Sequence, residues 1–353
     1  MAVTIKDVAR EAWVSVATVW RAINGQEGVA AGVRDRVLEV ASRLDYAPHQ
    51  AARALSSRRT RTVGVVLPDL HGEFFSELIR GIGQVARGNG LHLLLSSAHG
   101  DAGEQRVALQ AMRGRVDGVL VMAPTDEGAR SLAGCLAPAL PAVLINTVDP
   151  EGRRPWVGVD GYGGARAMVR HLVASGHRAI AFVSGPGDNH DARERLRGYR
   201  DELAASLPGV APRVEPGDFD EDSGIRAATR LLDGDEPPDA VFAANDAMAI
   251  GCLRAFAEAG LAVPGDIAVA GFDDIPLARL VHPALTTMRV DIAELGACAL
   301  RLLLQPAGSA DAEGVARTIA PQLVVRGSCL RDRSPRPRAA LHASTAPRER
   351  GTP

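Results

Sequence analysis

The sequence predicts an N-terminal all-α head joined to a two-lobed α/β body with parallel sheets. Up to residue 44, apolar side chains recur at three- and four-residue spacing, which is typical of amphipathic helices. From residue 62 onward, short continuous apolar runs alternate with amphipathic segments, which indicates parallel strands covered by helices on both faces. At 353 residues and 46% hydrophobic content, the chain is long enough to bury such a body.

The head begins with two short helices joined by a tight turn. Ile5, Val8, Ala9 and Ala12 give the first helix one apolar face. Ser15 then offers its side-chain oxygen to the free N–H groups at the start of a second helix. A third helix over residues 33–44 completes the small core with the apolar stripe Val33, Val37, Val40, Ala41 and Leu44.

The second helix combines an inward apolar stripe with an outward face of small and polar residues. The stripe is Val19, Ala22 and Ile23, and the outward residues are Val16, Ala17, Thr18, Trp20 and Arg21. A helix that enters the DNA major groove N-terminus first needs small or polar exposed residues in its first turns. A helical hairpin with a purely structural role is the alternative.

The opening resembles that of the lac-repressor/galactose-repressor family of bacterial transcription regulators, T-I-K-D-V-A-x-x-A-G-V-S-x-x-T-V-S-R-x-x-N. Thr4 to Asn24 match it at nearly every position. Trp13 replaces the turn glycine, and Trp20 replaces the serine that touches a phosphate in the family. The resemblance implies a helix-turn-helix head that binds a near-palindromic operator as a homodimer. The implied DNA-binding residues in the head are Thr4, Ser15, Val16, Ala17, Thr18, Trp20, Arg21 and Asn24.

Within this set, the positions of Val16, Ala17 and Arg21 correspond to the family's base-reading positions. Arg21 can pair bidentately with a guanine, whereas Val16 and Ala17 offer apolar contact, as to a thymine methyl. Thr18 is a candidate phosphate contact.

A helix-capable segment at residues 49–57 precedes a basic run. A helix of nine residues is marginal alone in water, so we expect it to order only against a partner. The resemblance implies a hinge helix in which Arg53 and Arg58 approach phosphates and Leu55 enters the minor groove. A plain linker is the alternative.

The body is predicted as two similar lobes, because the runs 63–69 and 180–186 each begin a new series of strands. The expected organisation is a helix-turn-helix domain (1–47), a hinge helix and linker (48–61), lobe 1 (62–160), lobe 2 (161–286), a return crossing with terminal elements (287–330), and a disordered tail (331–353). This arrangement resembles the type I periplasmic-binding-protein fold, and it implies a ligand-binding domain.

Polar side chains follow four predicted strands: Asp69, Asn146, Asn245 and Asp273. Ligands collect beyond the carboxyl ends of parallel strands, and converging carboxylates and amides suit the hydroxyls of a sugar or a ribose. The alternative is that these residues cap the following helices, and Asp246 is interpreted as such a cap.

The resemblance adds further effector-binding candidates. Arg195 lies three places before the glycine of the family's R-x-R-L-x-G-Y element, and Asp191 precedes it. Phe219 matches a position where an aromatic ring stacks on the ligand. Phe74 and Phe75 match the N-P-F-F element, although Glu73 replaces its proline. Either phenylalanine could instead belong to the core.

Charge and cysteine usage restrict the class of protein. Residues 1–61 hold ten Lys and Arg against six Asp and Glu, which leaves 30 against 36 for the rest. A basic head on an acidic body indicates nucleic acid at one end only. Cys135, Cys252, Cys298 and Cys329 are widely spaced, which favours reduced cytoplasmic thiols and no metal site.

No secretory segment or apolar run long enough for a membrane span is apparent. A solute-binding protein of the same fold is therefore disfavoured, and we expect a cytoplasmic protein. The glycines of 161–164 lack phosphate-loop spacing, and residues 184–187 are not a nucleophile elbow.

The sequence therefore predicts a ligand-responsive transcriptional repressor without enzymatic activity or cofactor. It leaves open whether the effector acts as inducer or corepressor.

Overall fold

The computed structural model describes residues 3–46, 59–137, 139–149, 152–234, 236–306 and 316–330. The predicted hinge helix with Arg53, Leu55 and Arg58, and the predicted tail, lie outside these residues. In the described part, no helix is both long and apolar enough to cross a bilayer.

Three helices form the head: α1 (Ile5–Glu11), α2 (Val16–Ile23) and α3 (Ala31–Arg43). Their shared core is small and aliphatic. It consists of the buried residues Val8, Ala9, Ala12, Val19, Ala22, Val37, Val40 and Ala41. The predicted apolar stripes of all three helices are confirmed.

The first sheet has six strands, all parallel, in the order β11-β5-β4-β3-β1-β2. Its strands are β1 (Thr62–Leu67), β2 (His92–Ser97), β3 (Gly118–Val121), β4 (Ala142–Ile145), β5 (Trp156–Val159) and β11 (Ala316–Ile319). The connecting helices are α4 (Glu73–Gly88), α5 (Ala102–Met112) and α6 (Asp126–Cys135). Strands β1, β3 and β4 are almost wholly buried, as their continuous apolar runs predict.

The second sheet has the order β12-β10-β9-β8-β6-β7 and is parallel except for β12, which runs antiparallel to β10. Its strands are β6 (Ile180–Val183), β7 (Arg213–Glu215), β8 (Ala240–Ala243), β9 (Ala268–Asp273), β10 (Thr286–Arg289) and β12 (Gln322–Val324). The helices α7 (Gly161–Ala174), α8 (His190–Ser206), α9 (Glu221–Leu232) and α10 (Asp246–Glu258) connect them. The predicted two-lobed parallel α/β architecture is confirmed.

The chain crosses between the two sheets at three places. It leaves β5 for α7 at 160–161, returns from β10 to the first lobe at 290–291, and passes from β11 to β12 at 320–321. Strand β10 thus extends the second sheet to Arg289, three residues past the boundary expected from the sequence. The glycines of 161–164 form the first turn of α7.

Helix α11 (Ile292–Leu303) brings the returning chain back onto lobe 1. It packs against α4 so closely that a Cβ on Gly296 would lie 2.3 Å from the Leu78 carbonyl oxygen. Glycine is therefore required for this helix contact. The contact ties the C-terminal part of the chain to the beginning of the body.

Candidate functional site

Helix α2 presents the outward face that the sequence predicts. The Thr18 N–H donates to Ser15 Oγ at 3.1 Å, which confirms Ser15 as the N-cap, and the two hydroxyl oxygens are 2.9 Å apart. Val16, Ala17 and Arg21 are exposed, while Val19 and Ala22 are buried. The helix therefore holds its apolar stripe in the core and leaves its N-terminal turn free for a partner.

Trp13 has a left-handed backbone, with φ of 55°, in the turn between α1 and α2. This conformation costs a residue with a Cβ about 1–2 kcal/mol, and glycine adopts it without that cost. The Trp13 side chain is 88% exposed. The departure from the family's turn glycine therefore retains the backbone shape at an energetic cost.

The remaining head candidates engage in local contacts. Both the N–H and the hydroxyl of Thr4 donate to the Asp7 carboxylate, at 3.0 and 2.7 Å. The Asn24 side-chain amide donates to the Trp20 carbonyl at 2.7 Å at the end of α2. Trp20 itself is half-buried.

A buried ion pair lies at the carboxyl ends of the second sheet. Arg195 Nη2 on α8 is 3.2 Å from Asp273 Oδ1 at the end of β9, and both side chains are almost wholly buried. Arg195 Nη1 donates to the Ala244 carbonyl, and its guanidinium carbon lies 3.9 Å from the centre of the Phe272 ring. Among the described residues, Arg195 Nε has no hydrogen-bond partner, and Asp273 Oδ1 has none beyond its ion-pair contact with Arg195 Nη2. One donor and one acceptor are thus held side by side for a ligand.

Burial raises the pKa of Asp273 to about 6, although the adjacent Arg195 charge opposes the shift. Asp191, one turn before Arg195 on α8, has its pKa raised for the same reason, and Arg195 again opposes the shift. The charge of Asp273 is therefore sensitive to mildly acidic pH, and so would be the binding of a ligand that donates hydrogen bonds to its carboxylate.

Asn245 and Phe219 are linked beside this pair. Asn245 Nδ2 donates to the Phe219 carbonyl at 2.8 Å, and Asn245 Oδ1 accepts from the Met248 N–H at 3.0 Å. Phe219 has φ of 67°, and its ring packs so closely on Gly185 that a Cβ there would lie 2.4 Å from it. The aromatic ring is thus fixed by its neighbours next to the strand ends.

The interpretation of Asp246 as a helix cap is wrong. Asn245 caps α10, whereas Asp246 is fully buried. The Thr287 hydroxyl donates to Asp246 Oδ1 at 2.6 Å, and the Ile275 N–H donates to Oδ2 at 2.9 Å. Burial and the nearby Asp273 raise the pKa of Asp246 well above its usual range. The helix begins one residue earlier than the cap interpretation requires, so Asn245 is the cap and Asp246 is a buried internal acceptor.

The effector-binding candidates of lobe 1 differ in whether their side chains are free to contact a ligand. Asn146, at the end of β4, is buried with φ of 45°, and its Oδ1 has no partner in the described part of the chain. Asp69 is exposed, and its carboxylate accepts from the N–H groups of Leu70 and His71 in its own loop. Phe74 and Phe75 are half-buried against the core, with ring centres 5.5 Å apart.

The lobes meet at one rim through the segments that follow β3 and β6. Arg193 and Asp126 form a two-pronged ion pair with N–O distances of 2.7 and 3.1 Å. The His190 N–H donates to the Pro124 carbonyl at 3.1 Å. These contacts join residues far apart in sequence, and no local pattern predicted them.

A second contact joins the lobes through Glu73. Its carboxylate accepts from the Leu277 N–H at 2.7 Å, at the start of a short 3₁₀ helix in lobe 2. Glu73 is the residue that replaces the proline of the family element, and proline has no side-chain acceptor. No group of three or more His, Cys, Asp or Glu residues suited to a metal occurs in the described ranges.

Comparison with known proteins assigns the chain to a family. Residues 4–49 match the model for bacterial regulatory proteins of the lacI family, and residues 169–329 match that for a periplasmic binding protein-like domain. Catabolite control protein A of Priestia megaterium is 39% identical over 310 residues, which cover 86% of this chain and 92% of that protein. The chain belongs to the lacI family. This confirms the resemblance seen in the first residues.

Other lacI-family proteins match over nearly the whole length. The HTH-type transcriptional regulator GalR of Escherichia coli K12 is 35% identical over 346 residues, or 97% of this chain and 99% of that protein. The lac repressor dimer bound to operator and the anti-inducer ONPF has a TM-score of 0.84 at 29% identity, covering 94% of this chain and all of that one. This lacI-family chain is a ligand-responsive, DNA-binding transcriptional regulator, not an enzyme.

A lacI-family regulator from Enterococcus faecium was solved with bound ribose. It has a TM-score of 0.67 at 27% identity, and the match covers 76% of this chain and 98% of that one.

Proposed function

We propose that this regulator is a cytoplasmic homodimeric repressor whose affinity for a near-palindromic operator is controlled by a sugar or a nucleoside. The observation that carries the proposal is the buried Arg195–Asp273 pair, in which, among the described residues, Arg195 Nε has no partner and Asp273 Oδ1 has only its ion-pair contact. Adjacent hydroxyls of a sugar ring both donate and accept, so they complement such a pair. The relatives solved with ribose and with ONPF support the same class of effector.

The effector site proposed here combines both lobes. From lobe 2 come Asp191, Arg195, Phe219, Asn245 and Asp273. Asn146 offers an unpartnered oxygen from lobe 1, with Asp69, Phe74 and Phe75 near the mouth. The Phe219 ring supplies an apolar surface for the face of a sugar ring, and the carboxyl groups supply its polar edge.

The operator site proposed here is the outward face of α2. Val16, Ala17 and Arg21 read bases, while Thr4, Ser15, Thr18, Trp20 and Asn24 lie along the groove edge. The family resemblance adds Arg53 and Leu55 as DNA contacts. A dimer places two such helices in successive major grooves. A relative solved as a dimer on its operator supports this arrangement.

A ligand screen tests the effector class directly. Sugars and nucleosides are added singly to the full chain, and the melting temperature is recorded, because a ligand that binds the folded state raises it. We expect a rise with at least one compound. Operator affinity is then measured on a duplex recovered by selection, with and without that compound. Weaker binding identifies an inducer and tighter binding a corepressor, while no change contradicts effector control.

Effector affinity is expected to fall on acidification. The pKa of Asp273 is about 6, so this carboxylate is mostly ionised at pH 7 and mostly protonated at pH 5. If the ionised form accepts the effector's hydroxyls, affinity drops about tenfold over this range. Asp191, whose pKa is also raised, acts in the same direction. Calorimetry at both pH values measures the change, and Asp273→Asn should flatten it. A wild-type profile that is already flat would contradict the assignment.

Replacing Trp20 by serine is expected to tighten non-specific DNA binding. The substitution restores a hydroxyl at the position where the family contacts phosphate, and one added hydrogen bond corresponds to about a fivefold gain. The Asn24 contact uses the Trp20 carbonyl and is therefore retained. Fluorescence anisotropy with a random-sequence duplex measures the affinity, and Arg21→Ala serves as a control that weakens it. Unchanged affinity would mean that Trp20 is a neutral replacement.

A further inference from the structure

The three helices of the head end in the same backbone motif. After α1, the Val14 N–H donates to the Ala9 carbonyl and the Trp13 N–H to the Arg10 carbonyl. The same pair of hydrogen bonds, with a left-handed residue between helix and turn, closes α2 at Gly25 and α3 at Asp45. This is the Schellman motif, whose left-handed position favours glycine and tolerates asparagine or aspartate. Trp13 is the exception among the three.

Trp13 has no compensating contact within the described chain. Its indole is 88% exposed, the highest value among the large hydrophobic side chains described, and it takes part in none of the ring contacts of the described residues. Both the left-handed backbone and the solvent-exposed apolar side chain of Trp13 cost free energy. A residue kept at such a cost indicates a contact with a partner molecule.

The position of Trp13 indicates which partner covers it. Trp13 precedes the N-cap residue Ser15 by two positions, so the two Cα atoms are at most about 7.6 Å apart. When α2 enters a major groove N-terminus first, this turn comes against the sugar–phosphate backbone that borders the groove. An indole offers an apolar face to deoxyribose and one N–H donor to a phosphate oxygen.

We propose that Trp13 is an additional DNA contact of this protein, which binds the sugar–phosphate backbone beside the groove entered by α2. The inference rests on the proposed DNA-binding function of the head. The contact is independent of base sequence, since it touches no base edge. It also displaces no counterion, because the indole is neutral.

Two properties therefore distinguish Trp13 from a merely tolerated residue. Trp13→Gly relieves the backbone and should raise the melting temperature of the head, yet it should lower affinity for duplex DNA at least about fivefold, the equivalent of one hydrogen bond. The loss should be equal for a random-sequence 30-base-pair duplex and for a selected operator. The dependence of affinity on salt should keep its slope, whereas loss of a cationic phosphate contact reduces it.

The test uses the full chain and fluorescence anisotropy with both duplexes across a salt series. Trp13→Phe keeps the apolar face and should lose less affinity than Trp13→Gly. Val107→Ala, which trims a side chain that is 64% exposed on α5 of lobe 1, is the matched control and should change nothing. Equal or tighter binding by Trp13→Gly overturns the inference.

A second measurement observes the indole directly. Trp20→Phe combined with Trp156→Phe leaves Trp13 as the only tryptophan, since the chain contains three. We expect the random-sequence duplex to protect its emission from acrylamide quenching. DNA binding without protection overturns the inference and leaves the proposed function intact. If the wild-type chain binds neither duplex, the proposed function fails together with it.

Discussion

Arg195→Ala is expected to weaken effector binding strongly. The guanidinium is buried beside Asp273 and also donates to the Ala244 carbonyl, so its removal leaves a buried carboxyl group and a main-chain acceptor unpaired. The effector also loses a hydrogen bond to the charged guanidinium, which contributes about 1.5–3 kcal/mol, so binding should weaken roughly 10-fold to 150-fold. Calorimetry and the thermal shift, with the compound identified by the screen, measure the loss.

Arg197→Ala is the matched control for this prediction. It lies on the same helix two residues later, but its guanidinium is exposed and pairs with Glu194 at the surface. We expect it to bind the effector as the wild type does. Asp273→Ala should behave like Arg195→Ala. If both cleft variants retain the full thermal shift, the effector site lies elsewhere.

Asp246→Ala is expected to destabilise lobe 2 by about 3 kcal/mol, because it leaves two buried donors without an acceptor at about 1–3 kcal/mol each. Those donors are the Thr287 hydroxyl and the Ile275 N–H. Ile275 lies two residues after Asp273, so the same substitution should also weaken effector binding by loosening the turn that presents the Asp273 carboxyl group. Urea unfolding of the full chain, followed by circular dichroism, measures the stability.

Asp246→Asn provides the control. Its amide oxygen can accept from the Ile275 N–H, while its NH₂ group donates to the Thr287 hydroxyl, which reverses its role. Since the raised pKa of Asp246 already favours the neutral form, the neutral amide should cost little. A loss for Asp246→Asn as large as that for Asp246→Ala would contradict this hydrogen-bond assignment.

Local pattern was sufficient to predict much of the fold. The helices of the head and strands such as β1, β3 and β8 each bury a continuous stripe or run, so sequence periodicity reports their burial. The left-handed turn at Trp13 was also predictable, because the family pattern has glycine there. Short strands were not: β7 and β12 have three residues each, too few for a pattern. Their existence depends on neighbours supplied by distant segments.

In the candidate site, too, some features follow from local sequence pattern and others only from the tertiary fold. Asp273 and Asn146 were candidates because each stands at the end of a continuous apolar run, and the structure places both at strand ends. The roles of Asn245 and Asp246 could not be separated, because they depend on where β8 ends to within one residue. The pair Asp126–Arg193 and the contact between Glu73 and Leu277 join the two lobes. Such pairings are set by the tertiary fold, and a single sequence contains no local signal for them.

The three crossings between the sheets limit how the lobes can move. In the first sheet, the crossings involve β11, the edge strand, and β5 beside it. In the second sheet, they involve β12, the edge strand, and β10 beside it. A single tether would permit the lobes to twist and slide, whereas three tethers along one edge leave rotation about a common axis as the easy motion. A ligand that draws the lobes together on the side away from these crossings would therefore rotate lobe 1 as a whole, through one defined angle.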